Sequence, residues 1–226
     1  MTEITYHLAD IRERVAKALS AAGRDGEEVM IIAVSKQQPA DRIAEAYRAG
    51  QTRFGESYVQ EALAKMRELE GLAIEWHYIG PIQANKTRAI AECFHWVHSL
   101  DRDKVALRLD AQRPYHATAL NVLIQVNIDH DARKSGVAPG GVRDLAALVS
   151  TLPNLRLRGL MGIAPHGRGS GDTRQYFMRM RKLQRDLEAS GIITDTLSMG
   201  MSEDFEQAVA AGSTCVRIGT AIFGPR

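Results

Sequence analysis

Short apolar runs recur along this chain, and each gives way to a helical segment. That alternation limits the possible folds more than any single motif does. The runs are VMIIAVS (29–35), TRFGE (52–56), IEWHYIG (74–80), HWVHSL (95–100), NVLIQVN (121–127), LRLRGLMGI (155–163), TLSMG (196–200) and CVRIG (215–219). Strands alternating with helices imply parallel strands joined by right-handed crossovers. Eight such units in 226 residues predict an α/β chain folded as a closed (β/α)8 TIM barrel, one domain over 1–226. An extra helix precedes the barrel, with Ile4, Leu8, Ile11 and Val15 on one stripe. An open doubly wound sheet is the alternative. Its dinucleotide-binding form wants G-x-G-x-x-G after the first strand, and AVSKQQP here contains no glycine.

The intervening segments carry helix signals. One spans about 39–49 and stops at Gly50. The next bears Val59, Leu63, Met66 and Leu69 and stops at Gly71. Asp101 is expected to cap the fourth-strand helix, and Pro114 to close it. Pro139 opens a helix bearing Val142, Leu145, Leu148, Val149 and Leu152. A long helix follows with Tyr176, Met180, Leu183 and Leu187. Ser202, ahead of Glu203 and Asp204, reads as a helix start, and Gly212 as its end.

Composition narrows the function. A net charge of +2 is too small to make nucleic acid or an anionic membrane the main partner. Cys93 and Cys215 form no CxxC and read as reduced, structural thiols. The N-terminus lacks the apolar core of a signal peptide, and no stretch approaches the roughly 20 apolar residues of a membrane span. A cytoplasmic protein is expected.

A barrel concentrates chemistry at the C-terminal ends of its strands. Lys36 ends the first, and by parity shares a face with Ile32 and Val34. A desolvated lysine loses its proton more readily, and its neutral amine attacks aldehydes. The plain alternative is a lysine that snorkels to solvent. Strands seven and eight run into SMGMS and Gly219-Thr220-Ala221. Loops after these strands often hold phosphate, because glycine admits it and free N–H groups bind it. Gly200 and Gly219 could equally be turn glycines. Taken with Lys36, they describe a site for a phosphorylated aldehyde. Arg217 shares a face with Cys215 and Gly219. It either faces the nitrogen of a bound pyridine, where a permanent cation discourages ring protonation, or pairs with a carboxylate such as Glu56.

The motifs AVSKQQPA (33–40), RFGESYVQEAL (53–63), EWHYIGPIQANKTR (75–88), VHSLDR (97–102), VLIQVNI (122–128) with RKSGV (133–137), LRLRGLMGI (155–163) and LSMGMSEDFEQAVAAGSTCVRIGTAIFG (197–224) resemble the pyridoxal phosphate homeostasis protein family. That family is related to the barrel domain of alanine racemase. The resemblance runs from about residue 4 to residue 226. It implies pyridoxal 5′-phosphate as cofactor, held as a Schiff base on Lys36. It implies Ser198, Gly200, Ser202, Gly219 and Thr220 at the phosphate and Arg217 near the pyridine nitrogen. It places His77 and Asn85 at the same mouth. Ser57 stands where the family motif has an asparagine that can contact the cofactor, and Ala84 where serine is frequent. The implied role is intracellular vitamin B6 homeostasis without established turnover, by a monomer, with apo-enzymes as possible recipients. An amino-acid racemase or lyase on the same barrel is the alternative. Alanine racemase takes a catalytic tyrosine from a second domain. This sequence stops at Arg226, directly after the eighth unit, so racemisation is not expected.

Three features are set aside. His95 and His98 lie three apart on a strand and face opposite ways, so they cannot chelate one metal ion. RMRKLQRDLE reads as a solvated basic helix face. HDARKSG (130–136) reads as a rim loop with Lys134 exposed.

Overall fold

A computed structural model describes residues 2–129, 134–165 and 170–225. Eight strands close into one barrel in sequence order. They are β1 (Met30–Val34), β2 (Arg53–Glu56), β3 (Glu75–Tyr78), β4 (Trp96–Leu100), β5 (Leu120–Gln125), β6 (Leu155–Met161), β7 (Thr196–Ser198) and β8 (Cys215–Ile218). Every neighbouring pair is parallel, and β1 closes the ring on β8 with Ile32 beside Arg217. Each strand falls inside, or within one residue of, the run that announced it.

The helices are α1 (Glu3–Ala21), α2 (Ala40–Arg48), α3 (Val59–Glu68), α4 (Thr87–Cys93), α5 (Asp103–Gln112), α6 (Val142–Ser150), α7 (Ser170–Ala189), α8 (Phe205–Ala210) and α9 (Thr220–Phe223). Pro139–Gly141 form a short 3-10 turn ahead of α6. Helix α1 precedes the barrel, begins at a Thr2 cap, and buries Ile4, Leu8, Ile11, Val15 and Leu19. It lies against α2, α8 and α9. None of the described helices is long and apolar enough to cross a membrane.

Alternation within the strands sorts side chains into two cores. Outward residues such as Ala33, Phe54, Val97, Val122, Leu160 and Val216 join the large shell under the helices. Trp96, Leu123 and Met161, with Met30 and Ile163, form a separate small apolar cluster. His77, His98, Ser198 and Arg217 are also buried. Strands β4 and β7 are not neighbours in the sheet, so the His98–Ser198 hydrogen bond runs across the lumen.

Two helix starts differ from expectation. Arg102, not Asp101, is the N-cap of α5, and no side chain caps it. The Asp101 carboxylate turns instead to the Arg102 guanidinium at 2.6 Å. Helix α8 begins at Phe205 rather than Ser202. Asp204 folds back to accept the Met201 N–H at 2.6 Å, so a turn precedes the helix and frees Ser202 to face β8. Three of the basic residues of α7 have side-chain partners. Arg179 reaches Asp129, Arg181 reaches Gln184, and Lys182 reaches Asp186. Residues 130–133 of the expected rim loop lie outside the described residues. Lys134 is half-buried rather than exposed, and donates to the Ile163 carbonyl at 3.5 Å.

Candidate functional site

The mouth at the C-terminal strand ends holds a cavity of about 300 Å³. Lys36, Ser57, Ser202, Arg217, Gly219 and Thr220 line it, with Val34, Ile79 and Ile163 as apolar wall. Five residues picked out at strand ends or phosphate turns therefore share one space with Ser57. A neighbouring cavity of about 230 Å³ shares Ile79 and Ile163 with it and is lined by Asn127, Lys134 and Tyr176 among others.

One wall is made by the loops after β7 and β8. Ser202 Oγ accepts the Gly219 and Ala221 N–H groups, each at 3.4 Å. Both bonds sit at the long limit, so these amides are only loosely committed. Gly200 adopts φ +97°, and a Cβ there would lie 2.6 Å from the Ala208 Cβ and 3.0 Å from the Phe205 Cα. Backbone strain and overlap act together, so Gly200→Ala is expected to destabilise the fold by about 3 kcal/mol. Urea unfolding checks this, and an unchanged midpoint would reject it. Glu203 and Asp204 add two carboxylates to the same lining. They disfavour an anion at that edge and leave the inner turn at 219–221 as its place.

Arg217 forms the inner wall. It is 5% exposed, and none of the described carboxylates makes an ion pair with it. Glu56, weighed as its partner from sequence, is bound to Ser35 and Lys65 on the outer side of the sheet. Arg217 instead donates to Ser198 Oγ at 2.7 Å and to the Gly162 carbonyl at 2.9 Å. Burial lowers its pKa from the usual guanidinium value.

Behind Ser198 a chain of hydrogen bonds crosses the barrel. Ser198 Oγ meets His98 Nδ1 at 3.0 Å, His98 Nε2 meets His77 Nδ1 at 3.0 Å, and His77 Nε2 meets Glu75 Oε1 at 2.9 Å. The ionised Glu75 carboxylate only accepts, and each neutral imidazole carries a single N–H, so this end fixes the direction of the rest. Ser198 accepts from Arg217 and gives its own proton to His98. His98 donates to His77, and His77 to the Glu75 carboxylate. Burial holds the pKa of both histidines below the usual value, that of His98 well below it. The hydrogen bond from His77 lowers the Glu75 pKa.

The sequence-derived set therefore divides. Lys36, Ser57, Ser202, Arg217, Gly219 and Thr220 line the cavity, and Gly200 shapes its turn. Ser198 lies one layer deeper, bonded to Arg217 rather than lining the cavity. His77 is buried below His98, and Asn85 is exposed ahead of α4; neither lines the cavity. His95 accepts the Trp76 N–H while His98 faces the lumen, so the HxxH pair is split as strand parity requires. Cys215 is buried and its thiol pushed up to about 11, which removes it as a nucleophile.

Residues 6–226 match the family described as alanine racemase, N-terminal domain. The pyridoxal phosphate homeostasis protein of Pseudomonas aeruginosa is 51% identical over 226 residues, covering 100% of this chain and 97% of that protein. The chain belongs to the pyridoxal phosphate homeostasis protein family. The Escherichia coli K12 member is 47% identical, covering 100% of this chain and 98% of its own. Among solved structures, PipY of Synechococcus elongatus without PLP matches with TM-score 0.88 at 39% identity, covering 98% of this chain and 100% of PipY. The PLP-bound form of PipY matches with TM-score 0.82 at 39% identity, covering 93% of this chain and 100% of PipY. The alanine racemase of Corynebacterium glutamicum shares the fold, with TM-score 0.68 at 17% identity over 99% of this chain and 61% of its own.

Proposed function

We propose that this family member binds pyridoxal 5′-phosphate, holds it as a Schiff base on Lys36, and serves intracellular vitamin B6 homeostasis. One observation carries the reading. An amine, the Gly219–Thr220 turn with its loosely committed amides, and a buried guanidinium without a contacting carboxylate meet at one cavity of about 300 Å³. A phosphorylated aldehyde satisfies all three. The amine takes the aldehyde, the amides take the phosphate, and the guanidinium faces a neutral ring nitrogen. PipY, 39% identical, has a PLP-bound structure, which supports the same ligand here.

The residues divide the work. Ser202, Gly219 and Thr220 hold the phosphate, with the turn at Gly200 beneath them. Ser57 and Ile79 wall the cavity. Ser198 holds Arg217 at the ring nitrogen by accepting its N–H. When bound, the cofactor supplies an aldehyde for amines and an electron sink, and a cation at its ring nitrogen weakens that sink. Tyr176 faces the neighbouring cavity with its hydroxyl pKa raised by burial, a poor general base. This favours a carrier over a racemase or lyase. In the same reading the carrier is a cytoplasmic, monomeric single domain over residues 1–226, with apo-enzymes as recipients.

Borohydride reduction of the protein incubated with pyridoxal 5′-phosphate, followed by peptide mass spectrometry, tests the site. A phosphopyridoxyl group is expected on Lys36. Its appearance only on other lysines would overturn the assignment. Sustained turnover of any member of an amino-acid panel would overturn the carrier role.

A further inference from the structure

The turn that carries Lys36 is held from behind by charges that the cavity does not use. Gln38 N–H donates to the Ser35 carbonyl at 3.0 Å, so residues 35–38 form a tight turn with Lys36 second and Gln37 third. Gln37 has φ +63°, and it is the one non-glycine residue with positive φ among those described. The third position of a type II turn requires such a φ and favours glycine or asparagine. A glutamine there stores strain, and strain persists only where surroundings over-determine it.

Those surroundings are Glu56 on β2 and Glu61 and Lys65 on α3. The Gln37 N–H donates to Glu61 Oε1. Lys65 Nζ donates to the Ser35 carbonyl at 2.7 Å, to Glu56 Oε1 at 2.8 Å and to Glu61 Oε1 at 2.6 Å. All three ammonium protons are thereby placed. Ser35 Oγ donates to Glu56 Oε1 at 2.6 Å. Peptide groups on both sides of Lys36 are thus tied to one buried ion cluster. Lys65 is 5% exposed and Glu56 fully buried, and Glu56 Oε2 has no partner. Such a cluster is a poor source of stability, since well-packed apolar residues of similar volume often do as well or better. An orphaned buried carboxylate oxygen worsens that balance. Fixing a strained backbone accounts for it where stability does not.

We propose that Lys65, Glu56 and Glu61 are positioning residues that lock the Ser35–Gln38 turn so that Lys36 projects into the cavity. This rests on the reading of Lys36 as the aldehyde-reactive amine, but the lock can be measured without the cofactor. In Lys65→Met and in Glu61→Gln, hydrogen exchange at the Gln37 amide is expected to accelerate by about tenfold or more, the range expected for a lost hydrogen bond to a charged group. The rate of forming the borohydride-reducible adduct with pyridoxal 5′-phosphate is expected to fall by about tenfold. Affinity for pyridoxine 5′-phosphate, which has the phosphate but no aldehyde, should stay within about twofold, because the 200–202 and 219–221 turns are untouched. Adding Gln37→Gly, which adopts positive φ without strain, should restore most of the adduct rate.

Unchanged Gln37 exchange in both variants would overturn the lock. Faster exchange with an unchanged adduct rate would overturn its role in positioning Lys36. Equal losses of pyridoxine 5′-phosphate affinity and adduct rate would mark the cluster as merely structural and also overturn the proposal. If Lys65→Met fails to fold, Glu61→Gln decides by the same readouts. A wild-type protein that forms no adduct on Lys36 would defeat the cofactor reading, while the exchange data would still judge the lock.

Discussion

Lys36→Ala is expected to lose the reducible pyridoxal phosphate adduct entirely. The reason is positional. Lys36 lies one residue beyond the buried Ser35, at the end of β1, and is the cavity's sole amine among its lining residues. The neighbouring Lys134 lines a different cavity and donates to the Ile163 carbonyl. Removal of Lys36 leaves the phosphate turn and Arg217 in place, so the variant should retain weaker, non-covalent affinity. Its stability should change by no more than about 1 kcal/mol, because Lys36 is only half-buried and packs in no core cluster. Lys36→Arg sharpens the test. It keeps a cation at the site, but a guanidinium does not deprotonate and cannot attack an aldehyde. Both variants should therefore read as zero adduct on reduction and mass spectrometry, with thermal midpoints near that of the parent. An adduct of parental yield in either variant would end the case for this lysine.

The barrel was legible because its signal is redundant. Each of eight runs marks a strand, and the strand ends name the mouth. Lys36, Gly200, Ser202, Gly219 and Thr220 follow from that reading, since a residue's place at a strand end needs only local pattern. Residues inside the lumen are a different matter. His77, His98 and Ser198 come from three strands, and the sequence does not say which layer each side chain occupies or which faces which. Parity separated His95 from His98, but it could not show that His98 reaches β7. Strand position likewise left Arg217 between a ring nitrogen and Glu56. The actual partner of Glu56, Lys65, lies nine residues on, at the buried face of α3. The Glu61–Lys65 pair at i,i+4 was a usable hint. Its attachment to the Ser35 carbonyl was not, because Gln37 carries no glycine or asparagine signal for positive φ. Helix starts at Asp101 and Ser202 failed for a related reason. Both loops spend their acidic side chains on nearer partners, Arg102 and the Met201 amide, before the helix begins.

Acidification should destabilise the protein steeply below about pH 6.5. His77 and His98 are buried without solvent contact, and burial lowers the pKa of each in the folded state. Their unfolded counterparts titrate near 6.5. The unfolded chain therefore binds more protons as pH falls through that value, and stability falls with pH. The contribution is complete above 6.5 and is lost on the way down to the lowered native values. Each histidine adds a slope approaching about 1.4 kcal/mol per pH unit, so the pair approaches about 2.7. That is large against a typical total of roughly 5–15 kcal/mol. Carboxylates act lower on the scale. Glu75, lowered by its bond from His77, loses its contribution only below its ordinary value of 4.5, while Glu56, raised by burial, acts in the opposite sense. Urea unfolding at pH 7.5, 6.5 and 5.5 measures the slope, and His77→Gln with His98→Gln should flatten it. Stability that is level across this range would show that the two imidazoles accept protons inside the barrel. A protonated His98 would then present a second cation to Ser198, whose hydroxyl already accepts from Arg217 and would have no neutral nitrogen left to receive its proton. The bond that holds Arg217 at the cavity wall would weaken in the same pH range, so in that outcome affinity for a ring held against that guanidinium should fall while stability stays level.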